Sequence, residues 1–530
     1  MKSSLIYFIL FVSFAALAQE DKNPNVELPD FVITGRDVIV VRRVDKIPAD
    51  MVSAVSEEYL KPAIKPEQLE VLEISNPVER DLSILDSADY HRGFISLESG
   101  RYKLPSGEIN YTFPFERGML HGIISGLNQL EYVKNSDRQS LFGALNFNYL
   151  LPIDGQFIPG TKFTLGGKHQ GNLFKFFGSV NPGLERKLNI GTVNAGIQNL
   201  FMKQFIFDLN FAGDFTYLDD AEFKESLFST NAFARFQMEN FGLGIKGNFQ
   251  NQSLKTDSLT DVSSNFVFVR PSVSLELFDK IKAEFGFSFN NSGGNKFSAL
   301  FAAAGLELAE NFILLGEYSP DAEFITAGKL MRGNYYFTQQ TVQNIFLKKK
   351  NKIKTIIKYE YDKYYQIDGG IEYYKAENLP YYTNPNQSGF FEVALTGATN
   401  LDLFLNLIYH MGPYGIFYAS FNYLKIENSN GNKIPFYPNF KASLSYGYDF
   451  RNGLRADISV KYLSDRYADL QNTVKLKSFF NLGFKITYML KEQFLLTLEV
   501  ENILNKKIYL WQGYQEKPLD ASIGFNFFFD

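Results

Sequence analysis

The 530-residue sequence contains no cysteine, one tryptophan and only four histidines. Without cysteine, the chain has no disulfide framework, no thiolate metal site, no cysteine nucleophile and no lipoprotein anchor. The histidines, His91, His121, His169 and His410, are widely scattered, which argues against a histidine-built metal centre. The 53 Lys+Arg residues nearly balance the 58 Asp+Glu residues, and this excludes a strongly basic nucleic-acid binder.

Motifs of common enzymes and cofactor sites are also missing. The sequence has no Gly-rich phosphate loop, no His-Glu-x-x-His pair and no serine nucleophile elbow. His121 and His410 lie in strand-like runs, where each fits either a site at the rim of a barrel or an ordinary lumen or interface position. We therefore predict that the protein is not an enzyme and holds neither a cofactor nor a metal ion.

Phenylalanine and tyrosine, by contrast, are abundant, with 53 and 31 copies. Many of them recur at every second position, as in Phe205–Tyr217, where apolar side chains share one face and Asp, Asn and Thr share the other. This alternation predicts β-strands, because alternate residues of a helix would circle its axis. The same pattern recurs in Leu141–Leu151, Val273–Leu277, Ala283–Phe289, Asn439–Phe450, Leu454–Tyr462, Phe480–Leu490 and Ala521–Phe529.

The length of these runs favours a membrane barrel over a soluble β-sandwich. Many approach the roughly 9–11 residues that a tilted strand needs to cross a bilayer. Tight turns such as Arg451–Gly453 alternate with longer polar stretches, which we interpret as loops: Gln252–Ser264, Lys375–Gly389, Ile426–Tyr437 and Ser464–Lys475. We predict that residues 90–530 form an all-β transmembrane antiparallel barrel of about 18–22 strands, with about 22 as the best count, short periplasmic turns and longer extracellular loops.

The N-terminus has the pattern of a secretory signal peptide. Lys2 precedes the apolar stretch Leu5–Phe14, and Ala16-Leu17-Ala18 supplies a cleavage site. We expect residues 1–18 to be removed, because the apolar stretch is short for an uncleaved membrane anchor. The protein is then located in the cell outer membrane of a Gram-negative-type envelope. Residues 19–89 are rich in proline and charge and are predicted to form a periplasmic segment.

Several motifs follow one another near the C-terminus. Ile434–Pro438 precedes a strand, Tyr462–Tyr467 has the pattern Y-x-S-x-R-Y, and Glu501–Tyr509 has the sequence E-N-I-L-N-K-K-I-Y. A terminal aromatic strand, Ser522–Phe529, closes the chain. This order resembles the last strands of TonB-dependent receptors over residues 430–530.

The resemblance implies a role in solute transport or ligand binding across the outer membrane, with an unidentified small-molecule ligand. It also implies contact with outer-membrane lipid and with the barrel-assembly machinery, for which Phe527, Phe528 and Phe529 would form the assembly signal. The alternative function is a structural or assembly barrel that docks a periplasmic or surface partner and transports nothing. The basic run Lys348–Lys352 fits a binding site for lipid phosphates or lipopolysaccharide, but a solvated turn is the simpler interpretation.

The segment Leu28–Gly35, with Phe31, Val32, Ile33, Thr34 and Gly35, resembles a TonB box. Such a peptide adds a strand to a TonB-type energy-coupling protein, which needs an exposed backbone and apolar side chains; a plain periplasmic tail is the alternative. Receptors of this family carry a folded plug domain between the TonB box and the barrel. The motifs of a plug domain are not visible in residues 19–89. Since a wide, empty barrel would be an aqueous channel, we expect residues 19–89, inward loops or a partner to block the lumen.

Overall fold

The computed structural model describes residues 91–530 apart from 154, 156–157, 200–201, 203, 220–221, 257–258, 278–279, 310, 339–341, 343, 362–363 and 451. The predicted signal peptide (1–18), the predicted periplasmic segment (19–89) and the TonB-box-like residues Phe31–Gly35 lie outside the described residues. Within the described part of the chain, no helix is both long and apolar enough to span a membrane.

The described residues are almost entirely strands. The first half of the sheet contains β1 (Gly93–Gly100), β2 (Lys103–Phe115), β3 (Gly118–Gln129), β4 (Arg138–Leu150), β5 (Lys162–Lys175), β6 (Glu185–Asn199), β7 (Phe205–Leu218), β8 (Phe223–Met238), β9 (Phe241–Thr256), β10 (Leu259–Leu277), β11 (Ile281–Ser292), β12 (Asn295–Ala309), β13 (Phe312–Tyr318) and β14 (Asp321–Thr326). The second half contains β15 (Asn344–Tyr361), β16 (Tyr365–Thr383), β17 (Glu392–His410), β18 (Ile416–Asn428), β19 (Phe440–Asp449), β20 (Leu454–Leu463), β23 (Phe479–Lys491), β24 (Phe494–Glu501) and β27 (Asp520–Phe529). Two small hairpins, β21 (Arg466–Tyr467) with β22 (Lys475–Leu476) and β25 (Tyr509–Trp511) with β26 (Tyr514–Gln515), lie outside the sheet, as do helix α1 (Ala327–Gly333) and the 3-10 turns Pro385–Gln387 and Gly412–Tyr414.

The large sheet closes on itself. Its first strand, β1, pairs with β2 on one side and with the last strand, β27, on the other. Strands β13 and β14 lie end to end against β15 and cross the wall as one interrupted strand. The result is a closed antiparallel barrel of 22 strands, which confirms the predicted fold class and strand count. Closure pairs the backbone all the way round, as hydrocarbon requires.

The alternating pattern corresponds to the two faces of the wall. In β7, Phe211, Phe215 and Tyr217 point outward and remain 38–48% exposed. The intervening Asp214 and Thr216 point inward, and Asp214 accepts a hydrogen bond from the Thr192 hydroxyl of β6 at 2.7 Å. The lipid-facing surface is therefore apolar and aromatic, and the inner wall carries polar side chains.

The two ends of the barrel differ in their connections. At one end most turns are tight, such as 116–117, 239–240 and 492–493, and both ends of the barrel chain lie there, with His91 Nδ1 3.4 Å from Asp530 Oδ1. At the opposite end lie most of the long connections. This asymmetry confirms the predicted short periplasmic turns and longer extracellular loops.

Three sequence interpretations of polar stretches were wrong, wholly or in part. Lys375–Gly389 is a loop only from residue 384, because β16 continues to Thr383. Gln252–Ser264 is not a loop, because β9 continues to Thr256 and β10 begins at Leu259. These strands extend beyond the apolar band, where neither face needs apolar side chains. Polar side chains pair across the two strands there: Asn251 Nδ2 donates a hydrogen bond to Ser263 Oγ at 3.4 Å. The basic run Lys348–Lys352 is not a solvated turn either, since it lies inside β15.

Candidate functional site at the extracellular mouth

Several long connections fold over the extracellular opening of the barrel and pack against one another. We call this layer the mouth cap. It consists of residues 176–184, 327–338, 384–391, 429–439, 464–478 and 502–519. These connections leave strands on different sides of the barrel, from β5 to β24. Contacts between them therefore join connections from several parts of the rim.

Tyr514 lies at the centre of the mouth cap and is 1% exposed. Its ring stacks on Tyr336, with 3.5 Å between ring centroids, and meets the ring of Phe177 edge-on at 5.1 Å. Its hydroxyl donates a hydrogen bond to the backbone oxygen of Gly389 at 2.8 Å. Burial raises the pKa of the Tyr336 and Tyr514 hydroxyls well above their usual range. One neutral side chain thus joins four connections.

The backbones of three connections touch at glycines beside Tyr514. A Cβ atom at Gly178 would lie 2.5 Å from the backbone oxygen of Gly513, and one at Gly389 would lie 2.4 Å from Ser179 Cα. Gly513 also has a φ of +88°, a conformation that costs glycine little. No other residue type lets these chains approach as closely.

A second aromatic group surrounds the single tryptophan. The Trp511 ring lies 4.8 Å from Phe436, 5.2 Å from Phe391 and 5.2 Å from Tyr382, measured between centroids. Pairs at these separations contribute about 0.5–1.5 kcal/mol each beyond the burial of apolar area. The group therefore holds the 384–391, 429–439 and 502–519 connections together.

The C-terminal motifs build this part of the mouth cap. Asn502 is 2% exposed, and its Oδ1 accepts a hydrogen bond from the Lys506 amide at 3.0 Å. Its Nδ2 donates to the backbone oxygens of Lys506 and Lys517, at 2.9 and 3.1 Å. Arg466, from the Y-x-S-x-R-Y motif, donates to the backbone oxygen of Tyr509. The motifs therefore shape the connection that carries Trp511 and Tyr514.

Helix α1 is held against the inner wall at β8. The Thr326 hydroxyl and the Gly328 amide both donate to Glu225 Oε1 of β8, at 2.8 and 3.0 Å. The other carboxylate oxygen, Oε2, accepts from Gln252 Nε2 at 2.8 Å. Since β8 and β14 lie several strands apart in the wall, this carboxylate fixes α1 inside the mouth.

The inner wall is apolar where the mouth cap rests on it. Below this level inward side chains are mainly polar, but at the rim of β5–β9 and β15–β18 they form a buried apolar cluster. This cluster contains Phe174, Leu188, Leu218, Leu254, Ile345, Leu347, Ala376, Ala398 and Ile426. It excludes water between wall and mouth cap and stabilises their packing.

We expect Glu225→Ala to release α1 from the wall. Buried donors of Thr326 and Gly328 would lose their acceptor, at a cost of about 1–3 kcal/mol for each unsatisfied group. Trypsin cleavage after Lys329 and Arg332 should then be faster by about tenfold or more, since cleavage follows local opening. Glu222→Ala removes the same charge from an exposed turn nearby and should leave the cleavage rate unchanged. Equal rates in the two variants would show that the carboxylate does not hold α1.

The residues selected from the sequence lie elsewhere. Phe527, Phe528 and Phe529 belong to β27, and Phe527 packs against Phe494 of β24 at 5.2 Å between centroids. His121 Nε2 is 3.0 Å from Asn110 Oδ1 on the wall at β2–β3, whereas His410 ends β17. These two histidines are not brought together. Among the described residues, no group of three or more His, Cys, Asp or Glu side chains is placed to hold a metal ion.

A closed 22-stranded wall, lipid-facing aromatics and a capped outer mouth together define a large outer-membrane β-barrel. Within that class, residues 364–503 match the family model described as TonB dependent receptor-like, beta-barrel. No curated protein matches the sequence.

Solved structures share the fold. The FrpB iron transporter from Neisseria meningitidis (F5-1 variant, apoprotein form) is 11% identical, with a TM-score of 0.64 over 84% of this chain and 82% of that one. The siderophore receptor PiuA from Acinetobacter baumannii is 12% identical, with a TM-score of 0.61 over 82% and 81%. The copper transporter OprC is 10% identical, with a TM-score of 0.63 over 83% and 81%. Identities this low show a common fold and nothing finer.

Proposed function

We propose that this protein is a barrel of the TonB-dependent receptor type, which binds a solute at the cell surface and passes it across the outer membrane. The mouth cap carries the proposal, because a wide barrel closed by its own connections can be opened selectively. The family match over residues 364–503 and the transporters among the structural relatives support it.

The N-terminal assignments belong to the same proposal. Residues 1–18 would direct export and be cleaved, and Phe31–Gly35 would pair with a TonB-type energy-coupling protein. Residues 19–89 would form a periplasmic segment where receptors of this type carry a full plug, and the mouth cap would close the barrel. The chain enters the barrel at the periplasmic end, through β1, which is the side on which an energy-coupling partner would act.

The test is single-channel conductance of the refolded protein lacking residues 1–18, compared with a version that also lacks residues 19–89. We expect neither to conduct in the resting state, because the mouth cap closes the barrel in both. Conductance only after removal of residues 19–89 would show that this segment blocks the lumen and that the mouth cap does not seal it. Conductance of both would show a passive porin.

The alternative function is a structural barrel that docks a partner without transport. The dense packing inside the mouth cap is the observation that supports this alternative. The two functions differ in what happens when those contacts are weakened. A transporter should become conducting, whereas a structural barrel filled by its own chain should stay closed.

A further inference from the structure

The outer wall of β15–β18 changes character along its length. Near the periplasmic end it carries an aromatic row in which Tyr365 and Tyr409 stack at 4.6 Å between centroids. Above that row lie outward apolar side chains such as Ile357, Ile371 and Leu405, which are 39–44% exposed. The band on β15 runs over residues 353–361, close to the roughly 9–11 residues of a bilayer crossing.

Lysines follow directly where this apolar band ends. Lys350 of β15 stands opposite Lys375 of β16 in the strand register. Lys348 lies two residues before Lys350 on β15, closer to the extracellular end. Lys425 of β18 stands opposite Leu401 of β17, at the edge of the apolar band. The four lysines thus lie at the level of lipid headgroups on the extracellular side.

The carboxylates at this surface do not neutralise it. Glu377 forms ion pairs with both Lys348, at 3.7 Å, and Lys350. Lys425 pairs with Glu427 at 3.2 Å. Among the described residues Lys375, which is exposed, forms no ion pair or side-chain hydrogen bond. Four lysines against two glutamates leave an excess of positive charge.

Such a surface is unfavourable unless an anion occupies it. Like charges directly opposite each other on neighbouring strands are destabilising. At this level the wall faces outward, and the exposed apolar side chains next to the lysines suit acyl chains. Basic side chains at a membrane surface attract anionic headgroups.

We propose that Lys348, Lys350, Lys375 and Lys425 bind the phosphate groups of an anionic lipid in the outer leaflet. The ligand's phosphates lie between the opposed Lys350 and Lys375, and its acyl chains lie along the apolar band below. This binding is independent of whether the barrel transports a solute.

The test is native mass spectrometry of the purified full-length protein in detergent, titrated with lipid A, with phosphatidylglycerol and with inorganic phosphate. The triple variant Lys350→Gln, Lys375→Gln, Lys425→Gln should bind lipid A at least about tenfold more weakly, because each interfacial lysine contributes to headgroup attraction. Lys375→Gln alone, an exposed substitution, should weaken binding in the same direction. Weakening for both lipids assigns the site to lipid phosphate in general, and weakening for lipid A alone assigns it to lipid A.

A matched control separates the site from overall charge. Lys477→Gln, Lys506→Gln, Lys507→Gln makes the same charge change at exposed positions of the mouth cap and should bind lipid A like the unchanged protein. Equal weakening in both triple variants, or none in the first, would overturn the proposal. Displacement of lipid A by inorganic phosphate would also overturn it, because the site would then serve a soluble anion.

Discussion

Replacing Gly178 with alanine should open the barrel. The added Cβ would lie 2.5 Å from the Gly513 backbone oxygen, so two connections of the mouth cap must separate. Overpacking of this kind costs about 1–3 kcal/mol, which shifts a closed-to-open equilibrium by about 5- to 150-fold. Single-channel recordings of a chain lacking residues 1–89 should change from a closed baseline to frequent open steps. Gly513→Ala disrupts the same contact, because its Cβ would lie 2.4 Å from the Gly178 backbone oxygen, and it should also produce open steps.

The control for this experiment is Gly431→Ala. Gly431 has a φ of +79°, close to the +88° of Gly513, and also lies in the mouth cap. No atom lies within 4 Å of a Cβ placed there, so this variant carries the backbone strain without the collision. We expect it to stay closed. Should Gly178→Ala stay closed as well, the contact at Gly178 does not seal the mouth, and the structural-barrel function gains support.

Deletion of residues 527–530 should remove the folded protein from the outer membrane. Phe527 and Phe528 pair with Ile95 and Phe94 of β1, and the pairing with β24 also ends at Phe527. Without them the seam loses backbone partners at membrane depth, where each unpaired polar group costs several kcal/mol. The amount of heat-modifiable, protease-resistant barrel in outer-membrane fractions should fall by at least about tenfold.

Deletion of Asp530 alone provides the comparison. It leaves the aromatic strand intact and ends the chain on Phe529, so we expect normal assembly. A similar loss in both variants would mean that the terminal position matters more than the aromatic pairing. Normal levels of the longer deletion would show that Phe527, Phe528 and Phe529 are not the assembly signal.

The wall of this protein could be predicted from its sequence because lipid imposes a simple rule. Strands such as Phe205–Leu218 and Leu454–Leu463 touch hydrocarbon on one face and a polar lumen on the other, so period-two alternation marks them with nearly correct ends. Above the membrane the rule no longer applies. The β9–β10 hairpin is polar on both faces there, and its strand ends were mistaken for a loop.

The mouth cap could not be predicted, because no simple environment imposes a pattern on its sequence. Leu188 and Leu218 face inward yet are buried, because the capping connections cover them. In the sequence they are simply further apolar residues at the end of a strand. The motifs around Asn502 and Arg466 were recognisable, but the meeting of Tyr514 with Phe177 and Tyr336 depends on strands far apart in sequence. Only the closed barrel brings these segments together.

The seam between β1 and β27 has a consequence for the order of the chain. Because His91 and Asp530 meet at the rim, a short linker could join the two ends of the barrel without crossing the lumen. New ends could then be introduced at another tight turn of the same rim, such as 239–240 between β8 and β9. We therefore expect a circularly permuted barrel, with its ends moved to that turn, to keep every pair of neighbouring strands.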